Sequence, residues 1–102
     1  MSAADPSGGN VVQLPGPATL YESNEIREHL LASLQEGGDV VFDLETSGPW
    51  DLSGLQLLVA VIASGKKAGL SVRFAQVPKS CLEIAERSGL GDWLRELSDS
   101  TL

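Results

Sequence analysis

The sequence predicts an α/β domain, and three observations predict it. Short runs rich in β-branched and aromatic residues alternate with longer segments of helical periodicity, the order of strands joined by right-handed crossover helices. Glycines stand where the helical segments stop, at Gly37-Gly38, Gly69 and Gly89. The length of 102 residues fits one core, and the lone cysteine, Cys81, rules out an internal disulfide as its support.

The chain opens with a small, polar, Gly/Pro-rich segment, residues 1–9, expected to be flexible. Asn10 to Leu14 contains Val-Val-x-Leu and reads as a short strand. Pro15-Gly16-Pro17 interrupts it as a turn. Ala18 to Leu20 is a candidate return strand. A helix is expected from Glu22 or Ser23, with Ser23 as its cap. Ile26, Leu30, Leu31 and Leu34 give it a buried stripe. Val40 to Leu44 shows little alternation, which predicts a central strand covered on both faces.

A polar loop, Glu45 to Asp51, should lead into a helix that starts near Leu52 or Ser53 and ends near Ala68. That helix is apolar almost all round (Leu55, Leu57, Leu58, Val59, Ala60, Val61, Ile62, Ala63), which predicts burial between the sheet and a neighbouring helix. Leu70 to Ala75 alternates as a strand, with Leu70, Val72 and Phe74 pointing one way. After Pro78, a helix capped by Ser80 carries Cys81, Leu82, Ile84 and Ala85 on its apolar face. A last short helix runs from Leu90 to Leu97, where Trp93 and Leu94 close the core. The tail, residues 98–102, is expected to be loose.

Val40 to Ala63 carries the candidate chemistry. Ser53 lies where the long helix begins, with Asp51 two residues before it and Gly54 directly after. A hydroxyl there can cap the helix by accepting from the first-turn amides. It can also carry a phosphate, because those amides and the helix dipole favour an anion. Both readings stand. Trp50, just before, is either a binding anchor or a ring folded over the end of the sheet.

Composition excludes several classes of function. A net charge of −7 argues against nucleic-acid binding. The charge is uneven: residues 1–51 hold nine carboxylates and one cation, Arg27, whereas residues 52–102 hold five carboxylates and six cations. A face built from the first half would suit a basic protein partner, or would simply be a solvated surface. No apolar run approaches the roughly 20 residues that span a bilayer. Nor does the N-terminus have the basic start and apolar core of a secretion signal. A soluble, cytoplasmic protein is expected. His29 is the sole histidine, so neither a zinc site nor a histidine base with a partner is in view. There is no phosphate-binding loop, and Asp43 and Asp51 lack a base or a metal cage between them. No cofactor or metal is expected, and the chain reads as a non-enzyme.

Four stretches in order resemble a STAS domain, the fold of bacterial anti-sigma-factor antagonists. Val11-Val12-Gln13-Leu14-Pro15-Gly16 is similar to its first strand and turn. Val40-Val41-Phe42-Asp43-Leu44 resembles its central strand, which ends in an aspartate. Asp51-Leu52-Ser53-Gly54-Leu55 resembles its Asp-Ser-Ser-Gly-Leu signature. Lys66-Lys67-Ala68-Gly69-Leu70 with Val72-Arg73-Phe74 is similar to the helix end and next strand. The resemblance implies a single STAS-type domain over residues 10–97: a mixed four-stranded β-sheet covered mainly on one side by three to four α-helices. It also implies that Ser53 is phosphorylated by a partner serine kinase with a histidine-kinase-like ATPase fold, often the anti-sigma factor itself. Partner contacts would come from Asp43, Trp50, Asp51, Leu52, Ser53 and Gly54. Leu52 departs from the signature, where a first serine is usual. Stand-alone STAS proteins also serve as fixed subunits on the ATPase of a lipid-transporting ABC complex, and in that role Ser53 would be only a cap.

Overall fold

The computed structural model describes residues 9–36 and 38–99. The flexibility expected of residues 1–8 and 100–102, and the part of Gly37 in ending a helix, lie outside the described residues. Among the described residues, six strands and four α-helices follow in the order β1 (Gly9–Gln13), β2 (Gly16–Ala18), a 3-10 turn (Leu20–Glu22), α1 (Ser23–Gln35), β3 (Asp39–Asp43), β4 (Ser47–Trp50), α2 (Leu52–Lys67), β5 (Val72–Ala75), α3 (Lys79–Arg87), α4 (Gly91–Leu97) and β6 (Ser98–Asp99).

The strands divide between two sheets. In the larger, β1, β3 and β5 form the body, and the two residues of β6 extend the β5 edge. The smaller pairs β2 with β4. Every pairing is parallel. This corrects the single mixed four-stranded sheet: Ala18 does not return along β1 but pairs with Trp50 of β4. It also turns part of the expected 45–51 loop into a strand. Prolines at Pro17 and Pro49 are tolerated because both strands of a two-stranded sheet are edges.

The order β1-β3-β5-β6 steps in one direction, so crossovers of one hand place their helices on one face. Burial agrees. Val40, Phe42, Val72 and Phe74 point inward and are buried, while Val11, Val41 and Arg73, aligned in register across the sheet, form the opposite face, where Val11 is 59% exposed. The strand β3 is therefore central, as expected, but covered on one face only. Its apolar composition hid an alternation that burial reveals.

The core gathers Leu30, Phe42, Leu44, Leu55, Leu58, Phe74, Cys81 and Leu94. Phe42, Phe74 and Trp93 pack in series as tilted pairs with ring centroids 6.4 Å apart at each step. Gly38, Gly69 and Gly89 take positive φ beyond the ends of α1, α2 and α3. Two expected caps are replaced. Ser23 is the first residue of α1, and the turn before it is closed by Glu22, whose carboxylate accepts from the Thr19 N–H at 3.0 Å. Pro78, not Ser80, precedes α3. The tail expected to be loose begins instead with β6, where the Arg73 guanidinium donates to the Ser98 carbonyl at 3.2 Å.

Candidate functional site

In a parallel sheet the carboxyl ends of all strands meet at one edge, where connecting loops gather. Here that edge holds Gln13, Asp43 and Ala75 at the ends of β1, β3 and β5. Asp43 is half-buried and folds its carboxylate back on its own loop. It accepts from the Glu45 N–H at 2.9 Å and from the Gln76 side-chain amide at 3.4 Å. Gln76 has φ of 55°, a left-handed conformation unusual for a side chain of its size, and this bend brings its amide across to β3. Asp43 thus ties two strand ends together.

The smaller sheet delivers the chain to α2. Trp50 is 6% exposed, and its indole N–H donates to the Ser47 hydroxyl at 2.9 Å. The anchor reading of Trp50 is corrected: its ring packs into the core beneath the helix start and offers no face to a partner. Gly54 sits on that ring. A Cβ at Gly54 would lie 2.2 Å from the Ala18 carbonyl oxygen and 2.9 Å from Trp50 Cε3. The signature glycine is required because helix, ring and strand meet without room for a methyl group.

Asp51, not Ser53, is the helix cap. Its Oδ1 accepts from the Gly54 N–H at 3.2 Å and its Oδ2 from the Leu20 N–H at 3.1 Å. The cap role weighed for Ser53 therefore falls to Asp51, two residues earlier, because Asp51 holds the extended cap position from which its carboxylate reaches the Gly54 N–H, whereas Ser53 is already inside the helix. Ser53 is the second residue of α2, half-exposed, and its hydroxyl has no hydrogen-bond partner among the described residues. Leu52, beside it, is 48% exposed.

The structure thus brings Trp50, Asp51, Leu52, Ser53 and Gly54 together at one helix start, with Trp50 and Gly54 beneath the surface. Asp43, at the end of β3, bonds to Glu45 and Gln76 rather than to this group. Sequence reasoning missed Leu20 and Tyr21, which are 65% and 92% exposed. The bond from Leu20 to Asp51 holds them against the helix start. Their signal was an apolar pair between a proline turn and a helix, off every amphipathic stripe.

Cys81 is fully buried in α3, and burial pushes its thiol up to about 12. It is a core thiol, as expected. His29 is exposed on α1, and its Nε2 lies 3.1 Å from the Gln13 carbonyl oxygen, which joins α1 to the end of β1. Among the described residues, no group of three or more His, Cys, Asp or Glu is placed to hold a metal ion, and no helix is long and apolar enough to cross a membrane.

A family model described as STAS domain matches residues 3–101, essentially the whole chain. No curated protein matches. Among solved structures, the crystal structure of a sulfate transporter family protein from Wolinella succinogenes superposes with a TM-score of 0.70 at 16% identity, covering 88% of this chain and 75% of that one. The STAS domain of a SulP transporter from Vibrio cholerae superposes with a TM-score of 0.63 at 20% identity, covering 88% of this chain and 71% of that one. At these identities the likeness is one of fold.

Proposed function

The chain belongs to the STAS domain family, and on that premise we propose that it is a non-enzymatic, cytoplasmic binding module switched by phosphorylation of Ser53. The kinase is a protein partner with a histidine-kinase-like ATPase fold, as for anti-sigma-factor antagonists. One observation carries this reading. Asp51 already caps α2, so the Ser53 hydroxyl is left half-exposed and uncommitted in the first helical turn. A helix needs one cap, and a second oxygen there is available for chemistry.

In the transfer, Ser53 Oγ attacks the γ-phosphorus of ATP. The new O–P bond forms as the bond to the departing ADP oxygen breaks, and the hydroxyl proton passes to a base. Both carboxylate oxygens of Asp51 are engaged by backbone N–H groups that fix it as the helix cap, and the base is assigned to the partner kinase. The product carries about −1.5 to −2 charge in the first turn of α2, where the helix dipole stabilises it and the fold survives. Within the complex, that new phosphate faces the nucleotide that donated it. Two anions at contact distance, together with the added bulk, drive release.

Capture from the native host's lysate tests this, with unmodified protein and Ser53→Asp side by side. A serine-kinase ATPase held by the unmodified form and lost by Ser53→Asp is expected. A second reading has its own support. The outer side of α2 exposes Leu52, Val59, Ala60 and Ala63 around Gln56, a largely apolar face that could dock permanently on a transporter ATPase without modification. A transporter ATPase retained equally by both forms would establish that reading instead.

A further inference from the structure

The corner formed by Leu20 and Tyr21 is a strongly exposed apolar surface that the switch itself does not use. Its backbone is fixed. The Leu20 N–H donates to Asp51 Oδ2 at 3.1 Å, the Ser23 hydroxyl donates to the Leu20 carbonyl at 3.0 Å, and Glu22 closes the turn on Thr19. A pinned backbone that holds Tyr21 at 92% exposure pays little ordering cost on binding. The carboxylate that pins Leu20 also caps α2, whose first residue is the exposed Leu52. Leu20 and Leu52 therefore flank Asp51 next to Ser53, and Tyr21 follows Leu20 in the same turn.

The surroundings of this patch are acidic. Glu22 lies in the same turn, Glu25 in the first turn of α1 directly after it, and Asp51 between its two halves. Across described residues 9–51, eight carboxylates stand against Arg27 alone. We propose that Leu20, Tyr21 and Leu52 form the docking surface for a basic, apolar segment of a partner protein, with an apolar side chain seated on Tyr21 and Lys or Arg reaching the acidic rim. This deepens the binding-module reading, on which it rests, by naming the chemistry of the partner. Tyrosine suits the anchor role because it buries a large, stiff ring. A second copy of this chain does not suit the surface: it would bring a like acidic rim against this one at a net charge of −7.

The test is a titration of isotope-labelled protein, followed by amide NMR shifts, with a synthetic Leu/Lys amphipathic peptide and its Leu/Glu counterpart. Saturable shifts confined to residues 20–22 and 51–53 are expected with the Leu/Lys peptide. Binding should weaken about ten-fold or more with Leu/Glu, with added salt, and in Tyr21→Ser. The exposure of Tyr21 means that Tyr21→Ser should keep the parent Tm. Equal binding of the two peptides, shifts centred on the Val11–Val41 face, or full affinity in Tyr21→Ser would overturn the proposal. A dimer seen by sedimentation and abolished by Tyr21→Ser would do the same, by making a second copy the occupant. Neither peptide reports on phosphate at Ser53, so failure here and failure of the switch are separate results.

Discussion

At the scale of single residues, the site is built by displacement of roles. Ser53 was legible as a helix-start serine, but its freedom depends on Asp51 taking the cap, and a sequence cannot say which of two neighbouring oxygens will reach an amide. Asp51→Ala should cost about 1–2 kcal/mol in urea unfolding, because it removes both the Gly54 and Leu20 bonds. Asp51→Asn should fall between that variant and the parent, since one amide oxygen can replace only one acceptor. Gly54→Ala should cost about 3 kcal/mol or more, because the new methyl group meets backbone oxygen at Ala18 and has nowhere to move. The burial of Trp50 was not legible. An aromatic beside a signature motif looks the same in sequence whether it faces solvent or core, and its indole N–H found a partner in Ser47 that periodicity does not reveal. Cys81 gives a pH prediction. Its thiol is raised from 9.0 to about 12, so above pH 9 the unfolded chain ionises while the folded chain does not. Stability is lost as pH rises from there toward 12, by up to about 1.4 kcal/mol for each pH unit. Chemical unfolding at pH 8 and pH 10 should show this loss in the parent, and a smaller one in Cys81→Ala.

At the scale of elements, the helix periods and their glycine stops were readable, and strands with apolar runs were readable as strands. Which face of each element is covered was not. The apolar run Val40 to Phe42 suggested cover on both sides, yet the helices cross on one side and leave Val41 partly open. The same overestimate of cover applies to α2. Its nearly all-round apolar surface predicts burial between the sheet and a neighbouring helix; α1, α3 and the sheet do cover it, but they leave Leu52, Val59, Ala60 and Ala63 exposed. Adjacent positions in α2 should therefore respond differently to truncation. Leu58→Ala, at a fully buried position, should cost about 2–5 kcal/mol. Val59→Ala, on the outer stripe, should change stability by less than about 0.5 kcal/mol. Thermal or urea unfolding of the two variants decides the point. The short strands β2 and β4 escaped notice because prolines and glycines dominate both, and only their mutual pairing makes them strands.

At the scale of the whole molecule, the fold was legible because motif order, spacing and glycine stops agree along the chain. The parallel pairing throughout and the division into two sheets were not, since direction and partner of a strand are set by tertiary contacts rather than by its own residues. The proposed function rests on what this assembly leaves uncovered: an uncommitted serine at a helix start, a pinned apolar corner beside it and an acidic first half. Ser53 is the proposed switch. The most direct measurement adds the ATPase captured by the unmodified protein back to it with ATP, then follows phosphate by mass spectrometry and complex by gel filtration. One phosphate, on Ser53, is expected, with loss of the complex as it appears and no phosphate in Ser53→Ala. A complex that persists with Ser53 unmodified, or with phosphate on another residue, would contradict it.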